Sequence, residues 1–300
     1  MTPGMAMLYD WSYLSVIRPS TSPGTDAAAG ASAAFAACSV LYSNRNLGPS
    51  YSNPASLQNS SYAATLLIHA QDLYAFAVNA SGGQQTYQSA FSQAGIAYPS
   101  SSYGDDLAMA ALFLAWATNS SDYYSQAEGY YRQYSLGRTN SVFNWDSKSP
   151  ALAVLFAQLA NAGTTFAGNL SGWQAEAEQY FDRILNGGSP SFKTNGARLC
   201  SYLAYILFAE NEITGGLLWY PGDSDDASLN PALNAAMLLT RYAQIATTQE
   251  KTTNYLVHIF SKNACGPLAD NTLLGIVPVT ARLRARKKPH VRRVSATFLS

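Results

Sequence analysis

Apolar residues recur at helical spacing along almost the whole chain, and the alternation expected of strands is scarce. That single feature confines the chain to folds built from packed helices. The segment 66–77, LLIHAQDLYAFA, shows the pattern: Leu66, Leu67, Ala70, Leu73, Tyr74 and Ala77 fall on one stripe. The spacing predicts helices over about 26–42, 61–79, 104–117, 122–135, 150–161, 171–186, 197–210, 230–246 and 250–262. Pro150 and Pro231 occupy first-turn positions, where a missing N–H costs nothing. Gly163 and the Gly187-Gly188 pair mark helix ends, and Thr25 or Asp26 is placed to cap the first helix.

Short or Gly/Ser/Asn-rich linkers join successive helices, so the chain reads as a series of helical hairpins. Ala and Leu lie on more than one face of these helices. Such helices need inner and outer contacts at once, as in a double-layered helical toroid. The 196–214 segment is unusually apolar and reads as a buried helix. The expected organisation is a helical domain over 1–262 and an irregular basic tail over 263–300, where periodicity is lost.

Composition narrows the function. The chain is 48% hydrophobic and 12% charged, which is globular. No apolar stretch reaches the roughly 18 residues of a membrane span, and the first 20 residues do not read as a signal peptide. Seven of the 18 Lys and Arg lie in 281–293, so the rest of the chain carries 11 − 18 = −7. An acidic body argues against nucleic acid as the main partner; a tail-mediated anion contact is the rival, and it predicts steep salt dependence. Cys38, Cys200 and Cys265 are far apart; the first two lie in apolar helical patterns and read as buried free thiols. No spacing suggests a metal site, and no cofactor is expected. Asn59, Asn79, Asn119 and Asn169 begin N-x-S/T sequons, at a frequency that chance explains. GDSDDAS (222–228) is acidic enough to consider Ca²⁺, but reads as a solvated loop ahead of a helix.

Asp105 and Asp106 invite a catalytic reading. Adjacent acids at a helix start point in different directions, whereas inverting glycoside hydrolysis needs carboxyls roughly 6.5 to 9.5 Å apart facing across a sugar. Acids in a first turn gain about 0.3 to 1 kcal/mol each from the helix dipole. The pair is therefore expected to be structural.

At this stretch, YPSSSYGDDLAMAALFLAWAT (98–118) resembles the YPSS-YGDEL-WAA-WL--AT region of glycoside hydrolase family 9, the endoglucanases of the cellulase class. SPGTDAAAGASAAFAACSVLY (22–42), LLIHAQDLYAFA (66–77), FNWDSKSPALAVLFAQL (143–159) and ASLNPALNAAMLLTRYA (227–243) are similar to further segments of that family, in the same order. The resemblance covers about 18–260, with a gap at 196–214. It implies an incomplete six-hairpin (α/α) barrel, all-α, with an open cleft. It also implies inverting, metal-free hydrolysis of internal β-1,4-glucosidic bonds, a β-1,4-glucan partner and an extracellular location.

Residue by residue, less carries over. The family's catalytic base lies in a DAGD element that this chain lacks, and no Glu follows Glu250 to serve as the general acid. Each such group contributes typically 10²–10⁴-fold, so no catalytic residue is assigned and turnover by this chain is expected to be lost. The alternative to an enzyme is a glycan-binding or inactive fragment. An incomplete or mis-spliced product of a larger gene is the expectation for the whole chain. Tyr103 and Trp145 sit in matched motifs whose aromatics line the cleft, and Asp146 and Lys148 are placed to hydrogen-bond sugar hydroxyls. The competing reading packs Trp145 inside its hairpin and makes Asp146 a cap. Asp106 replaces the usual Glu, and Met109 stands where many members have Trp. PHVR (289–292) matches a family motif only by its basic composition.

Overall fold

The computed structural model describes residues 21–45, 57–89, 92, 94–97, 99–137, 141–163, 166, 168–185, 192–193, 218–223, 229–248 and 251. Eight helices run through them: α1 Thr25–Tyr42, α2 Ser60–Asn79, α3 Ala94–Ala97, α4 Gly104–Thr118, α5 Ser121–Gln133, α6 Ser149–Ala162, α7 Leu170–Leu185 and α8 Asn230–Tyr242. One antiparallel pair, β1 Phe192–Lys193 with β2 Leu218–Trp219, sets Phe192 opposite Trp219. The class is all-α, as the periodicity requires. Expected helices over 197–210 and nearly all of 250–262 lie outside the described residues, as do Cys200, Cys265 and the basic tail.

The hairpins stack in order. α1 pairs with α2, α4 with α5, and α6 with α7. The first member of each hairpin also meets the first member of the next: α1 packs on α4, α4 on α6, and α6 on α8. The result is an inner row, α1–α4–α6–α8, backed by an outer row, α2–α5–α7. Burial follows this arrangement. Inner α4 buries eleven of its fifteen residues, including Leu107, Ala108, Ala111, Leu112, Leu114 and Ala115, on all sides. Outer α2 buries only Ala63, Leu66, Ala70, Tyr74 and Ala77, a single stripe at the predicted spacing.

Small residues let α1 and α2 approach closely. Ser32 Oγ donates to the Ala70 carbonyl at 2.7 Å and Ser39 Oγ to the Ala63 carbonyl at 2.8 Å, so these buried hydroxyls are satisfied across the interface. Two apolar clusters result. One joins α1, α2, α4 and α5; the other joins α7, α8 and Tyr220. Helix α6 feeds both, with Leu152, Phe156 and Leu159 facing the first and Ala151, Val154 and Ala157 facing the second.

Three expectations are corrected. Cys38 is exposed, not buried, because the face of α1 that packs inward beside it runs through Ala36, Ser39 and Val40. Neither Thr25 nor Asp26 caps α1: the N-cap is Gly24, in the left-handed conformation at φ 60°, with no side-chain cap. The two side chains are drawn instead to the chain beyond α2. Thr25 Oγ1 accepts from the Gln85 N–H at 3.0 Å, and Asp26 Oδ1 from the Tyr87 N–H at 2.9 Å. Finally, Asp146 does not cap α6, whose N-cap is Lys148 without a side-chain cap.

Candidate functional site

The inner helices bring their N-terminal ends together. Asp26 lies in the first turn of α1, Asp105 and Asp106 in the first turn of α4, and Lys148 immediately precedes α6. Between them opens a cavity of about 230 Å³, lined by Asp26, Gly30, Tyr87, Asp106, Trp145, Asp146 and Lys148 among others. Helix N-termini favour negative charge, which offsets part of the cost of gathering carboxylates here.

Asp105 and Asp106 are 3% and 5% exposed, far more buried than an ordinary dipole-facing pair. Both reach the start of α6. Asp105 Oδ2 accepts the Lys148 backbone N–H at 2.6 Å, and Asp106 Oδ1 lies 3.2 Å from Lys148 Nζ. The same amine donates to the Trp145 carbonyl. Desolvation pushes the Asp106 carboxyl up to about 7; the Lys148 amine works against that shift, and Asp105 and Asp26 add to it. Two buried carboxylate oxygens, Asp26 Oδ2 and Asp105 Oδ1, have no hydrogen-bond partner among the described residues. Burial raises the Tyr87 phenol, and the charges of Asp26 and Asp146 raise it further, so it remains an O–H donor at neutral pH.

The loop carrying Trp145 is tied at several points. Asn144 Oδ1 accepts from the Asp146 N–H at 3.0 Å and the Ser147 N–H at 2.7 Å. Asn144 Nδ2 donates to Asp223 Oδ1, and Asn234 Nδ2 of α8 donates to the Phe143 carbonyl at 2.8 Å. Asp146 Oδ1 accepts the Ser101 N–H at 2.8 Å, joining the loop to the chain before α4. With its backbone held, Trp145 stands 49% exposed.

Three of the four residues singled out in the sequence therefore meet at one cavity: Trp145, Asp146 and Lys148. The reading that buries Trp145 inside its hairpin does not hold. Tyr103 is placed otherwise. It is half-buried, meets the Tyr134 ring edge-on at 5.6 Å and does not line this cavity. Gly104 explains the packing, since a Cβ there would run into the Tyr134 ring. Sequence reasoning missed Asp26, Gly30 and Tyr87. Asp26 and Gly30 are four apart on α1, and that spacing was the available signal. Tyr87 had none, because it arrives through a long-range backbone bond to Asp26. PHVR and most of GDSDDAS lie outside the described residues. Among the described residues, no group of three or more His, Cys, Asp and Glu is placed to hold a metal ion.

Comparison with known proteins places this architecture. The sequence profile described as Glycosyl hydrolase family 9 matches residues 10–264. The chain belongs to glycosyl hydrolase family 9. Among curated members, this family 9 chain is 33% identical to Endoglucanase 14 of Arabidopsis thaliana over 61% of its own length and 34% of the relative's. It is 30% identical to Endoglucanase 15 of the same plant over 74% of its length and 37% of the relative's. The chain thus spans about a third of the length of these relatives. Among solved structures, it superposes on the endoglucanase of the termite Nasutitermes takasagoensis with a TM-score of 0.56 and 25% identity, covering 80% of this chain and 44% of that one. The two rows of helices are accordingly an incomplete six-hairpin (α/α) barrel, and the cavity lies where the inner helices of this family 9 chain begin.

Proposed function

We propose that this chain binds β-1,4-glucan along the face where its inner helices begin, as the glucan-holding part of an endo-1,4-β-glucanase domain. The observation that carries this reading is the half-exposed Trp145 beside a cavity lined by Asp26, Asp106, Asp146 and Lys148. A pyranose ring presents an apolar C–H face and a polar rim, and an aromatic platform flanked by charged acceptors and donors matches both. Asp146 keeps a carboxylate oxygen beyond the one bonded to Ser101. Lys148 has three N–H donors, of which the carboxylate and the Trp145 carbonyl take two. Tyr103 serves the site from behind, by fixing the approach to α4.

The reaction of the whole domain is inverting hydrolysis of internal β-1,4 bonds. Within this chain the matched segments supply binding groups but no DAGD base and no C-terminal general acid, so the chain by itself holds glucan without cleaving it. Its place is extracellular, where such a polymer is met. Two assays test the reading together: calorimetric binding of cellohexaose and reducing-end release from carboxymethylcellulose. Binding without release is the expected result. Absence of binding ends the proposal, and release ends the assignment of the missing carboxyls. Trp145→Ala should weaken cellohexaose binding by about threefold to tenfold, the equivalent of roughly 0.5–1.5 kcal/mol for an aromatic contact, while leaving the melting temperature in place.

A further inference from the structure

We propose that Asp106 is a positioning residue, acting through Lys148 to fix the presentation of the Trp145 indole at the mouth of the cavity. Asp106 belongs to the first turn of α4, the most deeply buried helix, so its carboxylate is anchored on a rigid element. Lys148 is gripped twice from that turn. Its backbone N–H goes to Asp105 at 2.6 Å and its amine lies 3.2 Å from Asp106, with side-chain exposures of 21% for Lys148 and 7% for Asp106. The gripped amine then takes the carbonyl of Trp145, three residues earlier. The adjacent acids thus read as a two-point clamp on the segment 145–148, in which one holds the main chain and the other holds the side chain that turns back to it.

A first-turn acid whose only task was the helix dipole would not need burial. A carboxyl this buried is costly to ionise, and it is set here against an amine that spends a second hydrogen bond on the loop that presents the tryptophan. The clamp also explains why Lys148 and the acids belong together although 42 residues separate Asp106 from Lys148 in the chain. The link from clamp to glucan affinity rests on the function proposed above; the link from clamp to Trp145 does not.

The test separates the two. Acrylamide quenching of the Trp145 emission is measured for the full chain, Asp106→Asn, Lys148→Met and Asp26→Asn, each read as the difference from the same protein with Trp145→Phe. Far-UV circular dichroism establishes that each variant is folded; Lys148→Met, at a partly exposed position, carries the test if Asp106→Asn does not fold. Quenching should rise in Asp106→Asn and Lys148→Met and stay at the wild-type value in Asp26→Asn, which leaves Lys148 untouched. Cellohexaose affinity should fall about tenfold in the first two, the equivalent of losing one charge-assisted hydrogen bond. Unchanged quenching in the folded Lys148→Met variant, or an equal rise in Asp26→Asn, overturns the clamp. Altered quenching in a protein that binds no cellohexaose upholds the clamp and removes the glucan reading instead.

Discussion

The behaviour of Asp106 is governed by competition between burial and a neighbouring amine. Burial is the larger effect, and the folded-state carboxyl titrates at about 7 rather than at its ordinary value of 3.8. The sign follows. Between those two values the folded chain holds a proton that the unfolded chain has released, so Asp106 favours the fold fully below about pH 4 and that contribution is lost as pH rises through 7. Asp106→Asn should therefore flatten the fall of melting temperature between pH 4 and pH 7, which thermal denaturation across that range will show. Glu178 has the opposite sign. Desolvation raises its carboxyl, but Lys251, Thr247 and Tyr242 together bring it below its ordinary value. Its contribution is present above that value and fades as pH falls.

At the scale of the element, α6 and α7 hold the molecule together. Phe156 stacks on Trp173 of α7 at 4.0 Å and 8°, and meets Tyr124 and Tyr131 of α5 edge-on at 5.4 and 5.6 Å. Phe156→Ala should cost about 3–5 kcal/mol, measured by urea unfolding, because three rings surround the space it would leave too tightly to collapse. The other joint is polar. Glu178 of α7 accepts from the Tyr242 hydroxyl at 2.9 Å and the Thr247 N–H at 2.9 Å, and pairs with Lys251. Glu178→Ala removes the acceptor that Tyr242, Thr247 and Lys251 share and should lower stability by about 1–3 kcal/mol in the same measurement. These partners lie 64 and 69 residues away along the chain, so nothing local to α7 announces them.

For the whole molecule, the shared helix α6 makes two apolar clusters into one cooperative body. Neither cluster can open without exposing a face of α6, and Trp173 packs against both. Unfolding followed by near-UV aromatic signals and by far-UV helicity should give coincident midpoints; separate midpoints would mean that the halves melt independently. Much of this molecule was legible in the amino-acid order. The class and the seven long helices within the described residues follow from apolar spacing, because the 3.6-residue period is a property of the local chain; the one-turn helix Ala94–Ala97, too short to show a period, did not, and the last helix stops at Tyr242 rather than at 246. The loop bearing Trp145, Asp146 and Lys148 was also legible, since the segment matched a family pattern. The burial of Asp105 and Asp106, the exposure of Cys38, the recruitment of Asp26 and Tyr87 and the turning of Tyr103 toward Tyr134 were not. Each depends on which helix ends meet across the inner row, and that choice is made by packing between segments far apart in the chain.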